Sequence, residues 1–130
     1  LKTNYEKHDG IHFLDFQNQL QMPAVYKMAD VFVLPSKGPG ETWGLSVNEA
    51  MANGKAIIVS DKCGSARDLV EDGINGFVFH STDVNDLKKK LKIIYQDKKH
   101  LESMKQQSLS KIMQFTLDKL ALSIEDVVYK

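Results

Sequence analysis

Glu41 and Glu49 are the residues of this chain whose type and spacing point most directly to chemistry. Seven residues separate them, within Leu34-Pro35-Ser36-Lys37-Gly38-Pro39-Gly40-Glu41-Thr42-Trp43-Gly44-Leu45-Ser46-Val47-Asn48-Glu49-Ala50-Met51. The stretch reads as an apolar strand, a loop rich in glycine and proline, and a helix opening near Gly44. In an open α/β sheet, ligands bind beyond the carboxyl ends of the strands. A glycine at a helix start lets a ligand approach the free amides, which together with the helix dipole favour an anion such as phosphate. Two carboxylates beside such a site need partners other than the phosphate, and sugar hydroxyls are the natural ones.

Other chemistries find little support. The four histidines, His8, His12, His80 and His100, share no ligand spacing, and no Cys/His cluster accompanies them, so no metal is expected. Ser36 and Ser60 follow strands, but neither sits in the glycine-flanked elbow of a hydrolase. The glycine fingerprints of dinucleotide-binding enzymes and P-loop NTPases are absent from the sequence. The single cysteine, Cys63, excludes an internal disulfide and reads as an ordinary small residue rather than a reactive thiol.

The elements that must carry the two glutamates are legible in the hydrophobic pattern. Ile11-His12-Phe13-Leu14-Asp15-Phe16 predicts a strand. Val31–Leu34 and Ala56–Val59 are apolar at every position, as in parallel strands covered on both faces. A short helix is expected between Gln19 and Ala29, and another from Gly44 to a stop at Asn53-Gly54. A turn at Asp72–Gly76 precedes a fourth strand, Phe77–Phe79. Beyond His80 the pattern is helical throughout. Leu87, Leu91, Ile94 and Tyr95 mark one stripe, Leu101, Met104, Ser108 and Ile112 a second, and Leu117 to Val128 a third. The expectation is an α/β fold with a doubly wound parallel sheet, closed by C-terminal helices. Four strands are few for such a sheet, and Leu1–Lys7 reads as the tail of a connection, so at least one βαβ unit is expected upstream.

Composition agrees with one soluble domain: 130 residues, 42% hydrophobic and 26% charged, with no net charge to name a nucleic-acid partner. No apolar run is long enough to span a bilayer. The run Lys88-Lys89-Lys90 reads as a solvated helix face.

The segment around the glutamates closely resembles the E-x7-E signature of the large retaining family 4 of GT-B glycosyltransferases. The spacing alone is unspecific. The context is specific: Pro35-Ser36, Gly44-Leu45, Glu49-Ala50-Met51-Ala52, Gly54 and the strand from Ala56 to Ser60. The resemblance extends upstream through Phe16, Pro23, Tyr26 and Ala29-Asp30, and downstream through Gly64 to Asp68 and Asp72-Gly73-Ile74-Asn75-Gly76-Phe77-Val78. It implies that residues 1–130 are part of the C-terminal, donor-binding domain of such an enzyme, the Rossmann-like half of a GT-B fold.

By the same resemblance, Glu49 would bind the ribose hydroxyls of the nucleotide, and Glu41 would contact the donor sugar as the catalytic-site carboxylate. Amides around Trp43, Gly44 and Leu45 would face the sugar and diphosphate, and Phe16-Gln17 would lie near the base. The implied reaction moves a sugar from a UDP-, GDP- or ADP-linked donor to an acceptor hydroxyl with retention, in polysaccharide, lipopolysaccharide or glycolipid synthesis. The family uses no metal or other cofactor. The acceptor, a sugar or lipid, would be held by an N-terminal domain, and the parent would be cytoplasmic with peripheral membrane contact.

Some positions depart from the family. Asp15 stands where glycine is frequent, Trp43 where phenylalanine is usual, Ser65 where a second glycine is usual, and Asp68 where the family has glutamate. The family's diphosphate-binding arginine and lysine come from segments before Leu1, and Arg67, the only arginine, lies on another element. The rival readings are an epimerase or phosphorylase on the same scaffold, and a non-catalytic flavodoxin-like signalling or interaction domain. The latter predicts an acidic pocket at the strand ends, which Asp30 and Asp61 do not form in sequence.

Overall fold

The computed structural model describes residues 5, 8–38 and 40–128. Three parallel strands, β1 (Val31–Leu34), β2 (Ala56–Ser60) and β3 (Gly76–Phe79), form one sheet in the order β1-β2-β3. Val31–Leu34 lies opposite Ala56–Val59, and Ile57–Ser60 opposite Gly76–Phe79. The helices are α1 (Met22–Lys27), α2 (Leu45–Ala52), α3 (Ala66–Leu69), α4 (Val84–Gln96), α5 (Lys98–Ile112) and α6 (Leu117–Val128).

Alternation along the strands divides the core into two. Ile57 and Val59, with Phe32, Leu34 and Val78, pack on α1, α2 and α3 through Tyr26, Val47, Met51 and Leu69. Ala56, Ile58, Phe77 and Phe79, with Val31 and Val33, pack on α4 and α5 through Ile94 and Met104. All five residues of β2 are buried, which is why that run is apolar on both alternations. Each fully buried Ile or Val contributes about 1.5–3 kcal/mol, so β2 is the stabilising centre of the fold.

The helix boundaries follow local chemistry. Pro23 stands in the first turn of α1, where its missing N–H costs nothing. Asp83 caps α4 by accepting the Asn85 and Asp86 amides at 2.9 and 3.0 Å. Asp97 caps α5 through the His100 amide at 2.9 Å. The turn before β3 is built around Asn75, whose side chain is wholly enclosed. Its Nδ2 donates to the Leu69 carbonyl and its Oδ1 accepts the Glu71 amide, both at 2.8 Å. Ser108 of α5 donates to the Asn75 carbonyl at 3.2 Å. Gly76 follows because a Cβ there would overlap the Ile57 carbonyl oxygen.

The sheet therefore has three strands among the described residues, one fewer than the hydrophobic pattern suggests. Ile11–Phe16 runs as coil with Ile11, Phe13, Leu14 and Phe16 exposed. A strand exists only through its ladder, and this segment finds none. β1 pairs with β2, and its other edge takes no strand among the described residues. The short helix expected between Gln19 and Ala29 is α1, Met22–Lys27. In the lysine run, Lys88 and Lys89 are exposed, but Lys90 turns back over the Phe77 ring at 4.8 Å and pairs with Asp72 at 3.3 Å. On α6, Leu122 and Ile124 are exposed; the Leu117, Leu120, Val127 and Val128 side chains lie outside the described residues, as do Pro39 and, apart from Tyr5, Leu1–Lys7.

Replacing Asn75 with alanine takes the partner from the buried Leu69 carbonyl and from the part-buried Glu71 amide. Each such orphan costs about 1–3 kcal/mol, and urea denaturation should show a loss of at least that size with an unchanged slope.

Candidate functional site

The loops beyond the carboxyl ends of the three strands are tied to one acceptor, the Ser36 carbonyl. Ser60, the last residue of β2, donates to it at 2.6 Å, and Ser81, just past β3, donates at 3.0 Å. Asp61 braces the same junction, accepting the Ser81 amide at 2.9 Å and lying 3.3 Å from His80 Nδ1. The loop that carries Glu41 therefore starts from a fixed point. Its far end is fixed as well, since the Trp43 carbonyl accepts the Ser65 amide at 3.0 Å and the Cys63 thiol at 3.2 Å. Gly64 makes that contact feasible, because a Cβ there would overlap the Thr42 carbonyl oxygen.

Gly44 is the hinge between this loop and α2. It is buried and left-handed, with φ +89°, and a Cβ would stand 2.8 Å from Cys63 Sγ and 3.0 Å from Leu34 Cδ2. Being glycine, it supplies no side-chain cap, and the first turn of α2 carries no acidic residue. The Val47 amide already bonds to the Gly44 carbonyl at 2.8 Å; the amides ahead of it, at Gly44, Leu45 and Ser46, have no place in the helix's own ladder and suit an anion at the positive end of the helix dipole. Trp43 is half-buried, and its indole N–H donates to Asn48 Oδ1 at 3.0 Å, fixing the ring along α2. Leu45 is 71% exposed. Glu41 is half-buried in the loop.

Glu49 lies on the second turn of α2 and faces α1. Its Oε2 accepts the Tyr26 hydroxyl at 2.9 Å. Tyr26 is 5% exposed, with its ring edge-on to Phe32 at a centroid distance of 5.8 Å. Burial first, and then the hydrogen bond and charge of Glu49, push the phenol well above its ordinary pKa. The hydroxyl therefore remains a donor at any physiological pH. Between α1 and α2 runs a groove of about 320 Å³ whose lining includes Gln19, Met22, Tyr26, Glu49 and Asn53. Phe16 is 93% exposed and Gln17 half-buried, with the Gln17 amide donating to the Asp15 carbonyl at 3.0 Å. Both run directly into Gln19 at the groove.

The structure thus groups Trp43, Gly44 and Leu45 at the opening of α2, sets Glu49 one turn further along beside the groove, and holds Glu41 in the anchored loop. It also supplies supports that spacing did not reveal: Tyr26 for Glu49, Asn48 for Trp43, and the serine pair on Ser36. Among the described residues, no cluster of three or more His, Cys, Asp or Glu stands in metal-ligating geometry, and no helix is long and apolar enough to cross a membrane.

A parallel α/β sheet covered on both faces, with such a loop and helix at its carboxyl edge, is a Rossmann-like fold. Residues 1–111 match the family model of glycosyl transferases group 1, and the chain belongs to that family. A sulfoquinovosyl transferase of Arabidopsis thaliana is 34% identical over 85 residues, 63% of this chain and 16% of that protein. The N,N'-diacetylbacillosaminyl-diphospho-undecaprenol alpha-1,3-N-acetylgalactosaminyltransferase of Campylobacter jejuni is 31% identical over 90 residues, 69% of this chain and 23% of that protein. The chain therefore spans less than a quarter of either relative. Among solved structures, Anabaena HepE in complex with UDP superposes with a TM-score of 0.84 at 22% identity, over 98% of this chain and 34% of that one. Sucrose-phosphate synthase from Thermosynechococcus elongatus gives 0.83 at 22% identity, over 98% and 32%.

Gly44→Ala forces a left-handed backbone on a residue with a Cβ, about 1–3 kcal/mol, and adds the contact with Cys63. Thermal melting should fall accordingly, whereas Gly40→Ala, where no heavy atom lies within 4 Å of the added Cβ, should leave it nearly unchanged.

Proposed function

We propose that this chain is the donor-binding part of a retaining, family 4 GT-B glycosyltransferase, and that its site holds a nucleoside-diphosphate sugar. Glu49 accepts the ribose hydroxyls, the amides at Trp43, Gly44 and Leu45 face the diphosphate, and Glu41 meets the donor sugar. Phe16-Gln17 lies toward the base. The observation that carries the reading is the disposition of α2: its uncapped opening and the Glu49 carboxylate lie on one helix, with Glu49 beside a groove and Glu41 in the loop that leads in.

In the reaction, the bond from the sugar to the diphosphate breaks and a bond to an acceptor hydroxyl forms. The protein's contribution on this side is preorganised: amides and dipole aimed at the charge that grows on the departing diphosphate. The remaining positive charge and the acceptor site belong to segments outside these residues. That HepE was solved with UDP and with UDP-glucose, and that the Arabidopsis and Campylobacter relatives carry sugar-transferase names, supports a nucleotide-sugar donor here. We place the parent in the cytoplasm, at a membrane surface where a lipid-linked or polysaccharide acceptor is met, and assign no metal to the reaction.

Thermal-shift titration with UDP, GDP and ADP tests the reading. One of the three should stabilise the chain, and Glu49→Ala should weaken its binding about tenfold to a hundredfold, the value of one charged hydrogen bond. Stabilisation by none of them, or an unchanged affinity in Glu49→Ala, contradicts it.

A further inference from the structure

We infer that Tyr26 is a positioning residue for the Glu49 carboxylate, an inference that rests on the donor-binding reading of Glu49. A glutamate on an exposed helix turn has three rotatable side-chain bonds and no reason to keep one orientation. Here one of its oxygens is held at 2.9 Å by a hydroxyl that is itself locked in place. Tyr26 is buried, its ring is wedged against Phe32, and its backbone belongs to α1, a separate element across the groove. The hydroxyl also lies 3.5 Å from the Ser46 carbonyl. It has one hydrogen to give, and the shorter approach to an ionised acceptor takes it.

The hydrogen-bond inventory of the pair says what remains for a ligand. A carboxylate accepts at about four lone-pair sites. Tyr26 fills one on Oε2, and no other hydrogen bond among the described residues reaches the carboxylate, so a vicinal diol can bring both of its hydroxyl protons to the same group. The hydroxyl that binds Glu49 competes for none of them. Burial and the neighbouring carboxylate raise the phenol's pKa, so Tyr26 keeps the proton it donates. The arrangement lowers the ordering cost of binding by fixing the carboxylate before the diol arrives, the usual gain from preorganisation.

The test is a double-mutant cycle in the chain, read by NMR titration with whichever of UDP, GDP and ADP binds, and with its dideoxyribose analogue. Tyr26→Phe keeps the ring and removes the hydroxyl. It should weaken the ribonucleotide about three- to tenfold, the worth of one ordinary hydrogen bond. The loss should vanish in the Glu49→Ala background and with the dideoxyribose analogue, neither of which a general loosening of the fold would produce. Equal weakening of both nucleotides, or a loss that adds to that of Glu49→Ala, overturns the inference. If a nucleotide binds and Glu49→Ala matters while Tyr26→Phe does not, the inference fails and the donor site stands. If none binds, or Glu49→Ala is silent, both fail. Should Tyr26→Phe not fold, the wild-type Tyr26 hydroxyl proton gives the answer. It should shift on addition of the ribonucleotide and stay unmoved with the dideoxyribose analogue, and a hydroxyl proton indifferent to both refutes the inference.

Discussion

The loop between β1 and α2 occupies its position because two glycines leave it room. Gly64 lets the Thr42 carbonyl pass where a Cβ would stand, and Gly44 turns the chain left-handed against Cys63 and Leu34. Once the loop is laid down, the Trp43 carbonyl meets the Ser65 amide and the Cys63 thiol, and the Ser36 carbonyl meets the hydroxyls of Ser60 and Ser81. The opening of α2 is then fixed in position and direction. A helix started one residue earlier or later would rotate by roughly 100° and carry Glu49 off the groove.

That constraint works only because the sheet beneath it is rigid. β2 is buried on both faces and has a strand on each side, so its carboxyl end cannot drift. On the far face, α5 packs its Met104 into the core and donates from Ser108 to the turn that starts β3. Its Lys105 and Lys111 reach Asp30 and Glu71 on either side of the sheet. Such exposed ion pairs contribute little stability each. α5 thus holds the sheet at the amino ends of β1 and β3, away from the carboxyl edge that carries the loop to α2.

How far the sequence could be read depended on the range of the interaction involved. β1 and β2 were plain because continuous apolarity is the direct consequence of burial on two faces, and the end of α2 was plain because Asn53-Gly54 is a local stop. The residues that open α2 could be named in advance for the same reason. Ile11–Phe16 misled because its composition suits a strand, whereas strand formation depends on a neighbour that composition cannot supply. The supports of the site were invisible for a related reason: Tyr26 and Glu49 are 23 residues apart, and Ser36 is 24 and 45 residues from its two donors. A tyrosine on a short apolar helix reads as core, and here it is core at the ring and bonded to Glu49 at the hydroxyl.

Family membership says what kind of ligand to look for, and the carboxyl edge says where. Amide chemical-shift mapping, with UDP, GDP and ADP added in turn, puts the two together in one spectrum. The account predicts that the bound nucleotide perturbs Trp43, Gly44, Leu45 and Ser46, together with Glu49 and its neighbours along the groove. Perturbations confined to the opposite edge of the sheet, around Asp30 and Lys55, or to the turn near Gln107 and Gln114, would contradict it.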